Sequence, residues 1–134
     1  MKKYAFTLLS LLVLFAFPHE SNKTKKFSEM LAHAPTPLAD RVVLTWNDNP
    51  ATTQSVSWRT DTSVSKGLAQ VAIANDNGRA LEPIELEAET TYFKSDINEA
   101  HYHNITFTNL NPNTLYAYRV GDGVNWSEYY HFKT

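Results

Sequence analysis

The sequence predicts an all-β sandwich of about seven strands, preceded by a signal peptide and a polar tether. First, short runs of alternating apolar and polar residues recur from Arg41 onward, with turn residues between them. Second, no stretch after Pro37 keeps the 3.6-residue period of an amphipathic helix. Third, residues 110–120 join two alternating runs through a cluster of Asn and Pro. Together these features favour strands joined by tight turns.

The N-terminal part is predicted to be an export signal followed by a linker. Lys2 and Lys3 precede an apolar run over residues 4–17, which is shorter than the roughly 20 residues that span a bilayer. This arrangement is typical of a signal peptide. We therefore expect a signal peptide or uncleaved anchor over 1–18, a polar linker over 19–36 and the domain over 37–134. The protein is expected to be periplasmic, extracellular or at the cell surface.

Charge and cysteine content exclude several classes of protein. The chain carries 12 basic and 14 acidic residues, for a net charge of −2, and it has no cysteine. A mildly acidic domain without a basic face argues against nucleic acid as a partner. The lack of cysteine excludes disulfides, cysteine-based metal sites and lipid attachment through cysteine.

The alternating runs define the strands in chain order. We predict strands over residues 41–47, 53–59, 69–75, 84–89, 101–108, 115–121 and 126–132. Val42, Leu44 and Trp46 share one face of the first predicted strand. In the second strand Val56 and Trp58 are expected to point inward, and the third strand offers Val71 and Ile73. Arg59 is expected on the outer face. The segment 75–78 has the Asn and Gly content of a hairpin turn, and residues 27–32 are expected to form at most a helical turn.

The segment around Tyr116 predicts a tyrosine corner. In such a corner the ring packs inward while the hydroxyl bonds to backbone upstream of it. Tyr118 and Val120 share the face of Tyr116. In the last predicted strand, Trp126 falls on the face opposite Tyr129. Tyrosine corners belong to immunoglobulin-like and fibronectin-type sandwiches, which normally serve as spacers or binding platforms.

Two histidines are the candidates for a metal site. His101 and His103 lie two apart on one predicted strand, so they share a face and could ligate one ion. Because Ile105 and Phe107 continue that face, we favour the interpretation that both histidines lie at the rim of the core.

Three glutamates form a second candidate. Glu85, Glu87 and Glu89 would share one face of the predicted strand 84–89. They could bind calcium weakly. We favour the interpretation that they form a charged outer face that protects a sheet edge.

No catalytic or cofactor-binding residue is predicted. The chain lacks a Gly-x-Ser-x-Gly elbow, a cysteine nucleophile, a phosphate-binding glycine loop and a His-Glu-x-x-His motif. The residues singled out have structural roles: Trp58, Leu110, Pro112, Tyr116, Tyr118 and Trp126.

Over residues 37–134 the chain resembles the N-terminal fibronectin-III-like domain of purple acid phosphatases and of bacterial metallophosphoesterases. The residues that carry the resemblance are Pro37, Arg41-Val42-Val43-Leu44, Val56-Ser57-Trp58-Arg59-Thr60, His103, Thr106, Thr108, Leu110, Pro112, Thr114, Tyr116, Tyr118-Arg119-Val120-Gly121, Trp126-Ser127, Phe132 and Thr134.

The resemblance implies a non-catalytic N-terminal accessory domain of an exported metallophosphoesterase, with this chain as a fragment. Its partner would be a C-terminal metallophosphoesterase domain, and a dinuclear iron/zinc or iron/manganese centre is expected only there. The metal-ligand motifs of that family, such as Gly-Asn-His-Glu, are absent from this sequence. Contact with a membrane is expected only through an uncleaved signal segment. A stand-alone secreted module that binds carbohydrate or a protein partner stays an alternative, as does an enzyme in its own right.

Overall fold

A computed structural model describes residues 22–76 and 81–134. Within these ranges the chain forms one helix and eight strands, one strand more than predicted. The elements are α1 (Asn22–Ala32), β1 (Asp40–Thr45), β2 (Gln54–Thr60), β3 (Leu68–Ile73), β4 (Ile84–Glu87), β5 (Glu89–Lys94), β6 (Glu99–Phe107), β7 (Leu115–Gly121) and β8 (Tyr130–Lys133). The predicted signal peptide and the tip of the predicted 75–78 turn lie outside the described residues.

The strands form two four-stranded antiparallel sheets. The first has the order β1-β2-β6-β5 and the second the order β4-β3-β7-β8. Every strand pair is antiparallel. This arrangement confirms the predicted all-β sandwich.

The core lies between the two sheets and is rich in aromatic rings. Val56 and Trp58 of β2 are fully buried, as their alternation predicts. Phe132 stacks on Tyr116 at 5.4 Å between ring centroids and on Phe107 at 6.4 Å. These side chains come from both sheets, so their contacts hold the sandwich together.

The predicted tyrosine corner is confirmed. Tyr116 is 6% exposed, and its hydroxyl oxygen accepts a hydrogen bond of 2.8 Å from the backbone N–H of Asn111. The N–H of Leu110 donates to the carbonyl of Thr52 in the loop before β2. Thr134 adds to the corner, because its hydroxyl donates to the Asn111 carbonyl at 2.6 Å. The connection from β6 to β7 is therefore fixed at both of its ends.

The first strand departs from the predicted pattern. Its pairing with β2 shifts register between Asp40 and Val43, and Arg41 has a φ of 51°. After this bulge Val42 still packs on the core, but Trp46 lies beyond the strand and is 70% exposed. The predicted continuation of the Val42 and Leu44 face to Trp46 was wrong, because β1 ends at Thr45.

The single strand predicted over 84–89 is two strands in different sheets. Ala88 is buried between them, and its N–H donates to the carbonyl of Gly67. β4 pairs with β3 in the second sheet, while β5 pairs with β6 in the first. The chain thus passes from one sheet to the other at Ala88, and β5 was missed by the sequence prediction.

Two further strand ends differ from the prediction. Ile73, at the end of β3, is 54% exposed. Trp126 makes only an isolated bridge with Gly121, and β8 begins four residues later at Tyr130. Ile73 is the last residue of β3, and Trp126 precedes β8.

The linker forms more structure than expected and packs on the first sheet. Arg59 points outward, yet it is only 4% exposed because the linker covers it. Its guanidinium donates to both carboxylate oxygens of Asp40 and to the carbonyl of His33, just after α1. Helix α1 extends well beyond the helical turn predicted over 27–32. Within the described residues, no helix has the length and apolarity that a membrane span requires.

Candidate functional site

The histidine pair lies at the rim of the core and is bonded within the domain. His103 is fully buried, and its Nε2 and Nδ1 lie 2.8 Å and 2.9 Å from the hydroxyls of Thr60 and Thr90. His101 bonds through Nδ1 to the carbonyl of Val64 at 2.7 Å. Because both ring nitrogens of His103 already have hydrogen-bond partners, a metal ion would have to displace one of them.

The surroundings of His103 favour its neutral form. The ring stacks on Trp58 at 5.2 Å, with 29° between the planes. Burial, and secondly the charge of His101, lower the pKa of His103 from 6.5 to about 4. Gly67 packs against this ring, because a Cβ there would come within 2.5 Å of Nδ1 of His103. His103 is therefore an uncharged packing residue at neutral pH.

The predicted row of three glutamates is not formed. Glu85 accepts a hydrogen bond of 2.8 Å from Gln70, and Glu87 pairs with Lys66 at 2.8 Å. Glu89 belongs to β5 in the other sheet. Throughout residues 22–76 and 81–134, no three His, Cys, Asp or Glu residues come together as a possible metal site.

An arginine held between two aromatic rings is a feature that the sequence prediction missed. The guanidinium of Arg119 lies 4.6 Å from the ring centroid of Trp126 and 4.9 Å from that of Tyr129. Its Nε donates to Gln70 at 2.8 Å. Such cation–π contacts hold the segment before β8 against the outer face of the second sheet. The prediction that Trp126 and Tyr129 lie on opposite faces was wrong.

The segment that carries these rings is also fixed through its backbone. Ser127 donates its N–H to the Val120 carbonyl at 2.8 Å, and its hydroxyl accepts from the Val120 N–H at 3.1 Å. The Trp126-Ser127 pair therefore has a local structural role. The sequence signal for it was Arg119 on the outward face of β7, followed by a short turn and an aromatic residue.

An apolar groove lies beside β4. It has a volume of about 730 Å³ and lies between the β3–β4 edge of the second sheet and the tyrosine corner. Its walls include Ile73, Ile84 and Leu86, and its base includes the core residues Phe107 and Tyr116. We call this the β4 groove. It offers mainly apolar contact area.

A smaller pocket of about 250 Å³ lies where the linker meets the first sheet. His33, Arg59, Asn98 and Tyr102 contribute to its walls. The Arg59 charge is balanced by Asp40, and Asn98 donates to the His33 carbonyl at 3.1 Å. These contacts show that the pocket is built around the attachment of the linker.

The comparison with protein families agrees with the motifs of the sandwich. The model of the family described as "Purple acid Phosphatase, N-terminal domain" matches residues 39–134. The chain belongs to this family. The match runs from just before β1 to Thr134 and covers the N-terminal domain alone. The resemblance predicted from the sequence is thereby confirmed.

Solved structures with a similar fold are only distantly related to this purple acid phosphatase N-terminal domain. The FN1–FN3 domains of chicken CNTN1 are 20% identical, with a TM-score of 0.48 over 75% of this chain and 31% of that one. A redesigned β-sandwich protein is 23% identical, with a TM-score of 0.45 over 72% of this chain and 87% of that one. The chain spans about a third of the first of these structures. No curated protein matches the sequence significantly.

Proposed function

We propose that this domain is the non-catalytic N-terminal support of an exported metallophosphoesterase of the purple acid phosphatase type. The observation that carries the proposal is the family match over residues 39–134, which accounts for the whole sandwich. In this role the domain supplies a rigid body beside a catalytic domain that follows Thr134 in the full polypeptide.

The side chains of the domain favour support over catalysis. Hydrolysis of a phosphoester by two metal ions about 3.5–4 Å apart needs a set of ligands converging on both ions. Here the imidazole of His103 is buried against Trp58 and bonded to two threonines. The glutamates of β4 and β5 are divided between two sheets.

The test compares the chain alone with the chain joined to the polypeptide encoded beyond Thr134. We expect the chain alone to hydrolyse no p-nitrophenyl phosphate with iron, zinc or manganese, and the joined protein to do so. Removing residues 1–134 should lower the melting temperature of the catalytic part. Tight iron binding with turnover by the chain alone would refute the proposal, as would a downstream sequence without metallophosphoesterase ligands.

A stand-alone binding module is the second candidate, and Trp46 is the observation that favours it. Its side chain is 70% exposed, next to Val43 at 54% and Leu44 at 37%. An exposed indole can stack on a sugar ring or anchor a protein partner. A glycan screen read by tryptophan fluorescence, with Trp46→Ala as the comparison, tests this role. No ligand at millimolar concentration would reject carbohydrate binding.

A further inference from the structure

The β4 groove exposes apolar side chains that the fold leaves without cover. Ile84 is 64% exposed and Ile73 is 54% exposed, although both line a concavity whose base is buried aromatic core. Scattered apolar residues are common on protein surfaces, but a concave apolar patch that reaches the core is typical of an interaction site.

The backbone of β4 is open along one side. Within the described residues β4 pairs only with β3, with Gln70 opposite Glu85 and Val71 opposite Ile84. Every second N–H and C=O of an edge strand points away from its sheet, so a further strand can be added there. The inward side chains of an added strand would enter the β4 groove.

The charge of this edge selects the strand that can be added. Glu82, Glu85 and Glu87 are all exposed along β4 and the residues before it, and Lys66 pairs with only one of them. A second copy of β4 would place glutamates opposite glutamates, which is unfavourable. A strand that alternates Lys or Arg with apolar residues would match both the acidic face and the groove.

The position of Thr134 identifies the source of that strand. The Thr134 hydroxyl bonds to the carbonyl of Asn111, and Asn111 lines the β4 groove. A polypeptide that continues from Thr134 would therefore start next to a residue that lines the groove. We propose that the β4 groove docks the catalytic domain that follows Thr134, through an extended segment of alternating basic and apolar residues added to β4. This inference rests on the proposed function.

Hydrogen exchange measured by mass spectrometry tests the docking. We expect the outward β4 amides to exchange at least about tenfold more slowly in the protein that continues beyond Thr134 than in the 134-residue chain. Ile73→Arg should remove this protection, because it puts a cation into the groove. Val43→Arg is the matched control, since Val43 has the same 54% exposure on β1 of the other sheet. Circular dichroism checks that both variants fold.

The outcomes separate this inference from the proposed function. If the joined protein is an active phosphatase but its β4 amides exchange as fast as those of the chain alone, the docking inference is wrong and the support role stands. Equal loss of protection in both arginine variants would also overturn it. Protection that rises with the concentration of the chain alone would point to a second copy and reject the proposed partner. If no catalytic polypeptide follows, both proposals fall.

Discussion

Acidification should destabilise the domain through His103. Burial lowers the pKa of this imidazole from 6.5 to about 4 in the folded state, whereas the unfolded chain keeps the ordinary value. Above pH 6.5 both states are neutral and the residue has no effect. As the pH falls from 6.5 to 4, the unfolded state gains a proton that the folded state does not, so stability is lost. At about pH 4.5 the free energy of unfolding should be about 2–3 kcal/mol lower than at about pH 7.5 from this residue.

To isolate this effect, urea unfolding is measured at both pH values on the wild type, His103→Gln and His131→Gln. His103→Gln can still hydrogen-bond to Thr60 and Thr90 but cannot gain a proton. His131→Gln is the control, since His131 is an exposed residue of β8. The wild type and the control should each lose about 2–3 kcal/mol more on acidification than His103→Gln. Equal losses in all three proteins would refute the reasoning, whatever the stability of His103→Gln at neutral pH.

Four other outcomes follow from the contacts. Tyr116→Phe should cost about 1 kcal/mol in urea, because it removes the acceptor of the part-buried hydrogen bond from the Asn111 N–H. Asp40→Asn should also cost about 1–2 kcal/mol, since the Arg59 guanidinium stays buried while the carboxylate is 41% exposed. Trp126→Ala should lower stability by about 1 kcal/mol more than Trp46→Ala, which removes no cation–π contact. Adding a chelator should leave the melting temperature of the chain unchanged, because the buried histidine is bonded to two hydroxyls.

Features encoded by local pattern were predictable. The alternation in β7 placed Tyr116, Tyr118 and Val120 on the buried face, and the turn residues before it predicted the corner. Likewise, Val56 and Trp58 are buried as expected. β2 and β7 are inner strands of their sheets, so the residues that the alternation places inward are covered by the opposite sheet.

Features that depend on contacts between distant segments were not predictable. Nothing in the residues next to Ala88 indicates that its N–H bonds to Gly67, and this bond accompanies the division of 84–89 between the sheets. Ile73 is exposed at the last position of β3, which its alternation with Val71 does not indicate. The placing of Arg119 between two rings depends on how the chain before β8 turns back.

The change of sheet at Ala88 limits which insertions and deletions the domain can accept. β4 and β5 are separated by this one residue, and each is held in register by a different sheet. One added or lost residue here cannot be absorbed by a loop, so it must shift one of the two strands by one position. Such a slip exchanges the inner and outer faces of that strand. A change in length at this point would therefore turn the groove side chains of β4 to the outer face of their sheet, or move Thr90 away from His103. Length changes in open loops would leave both sheets intact.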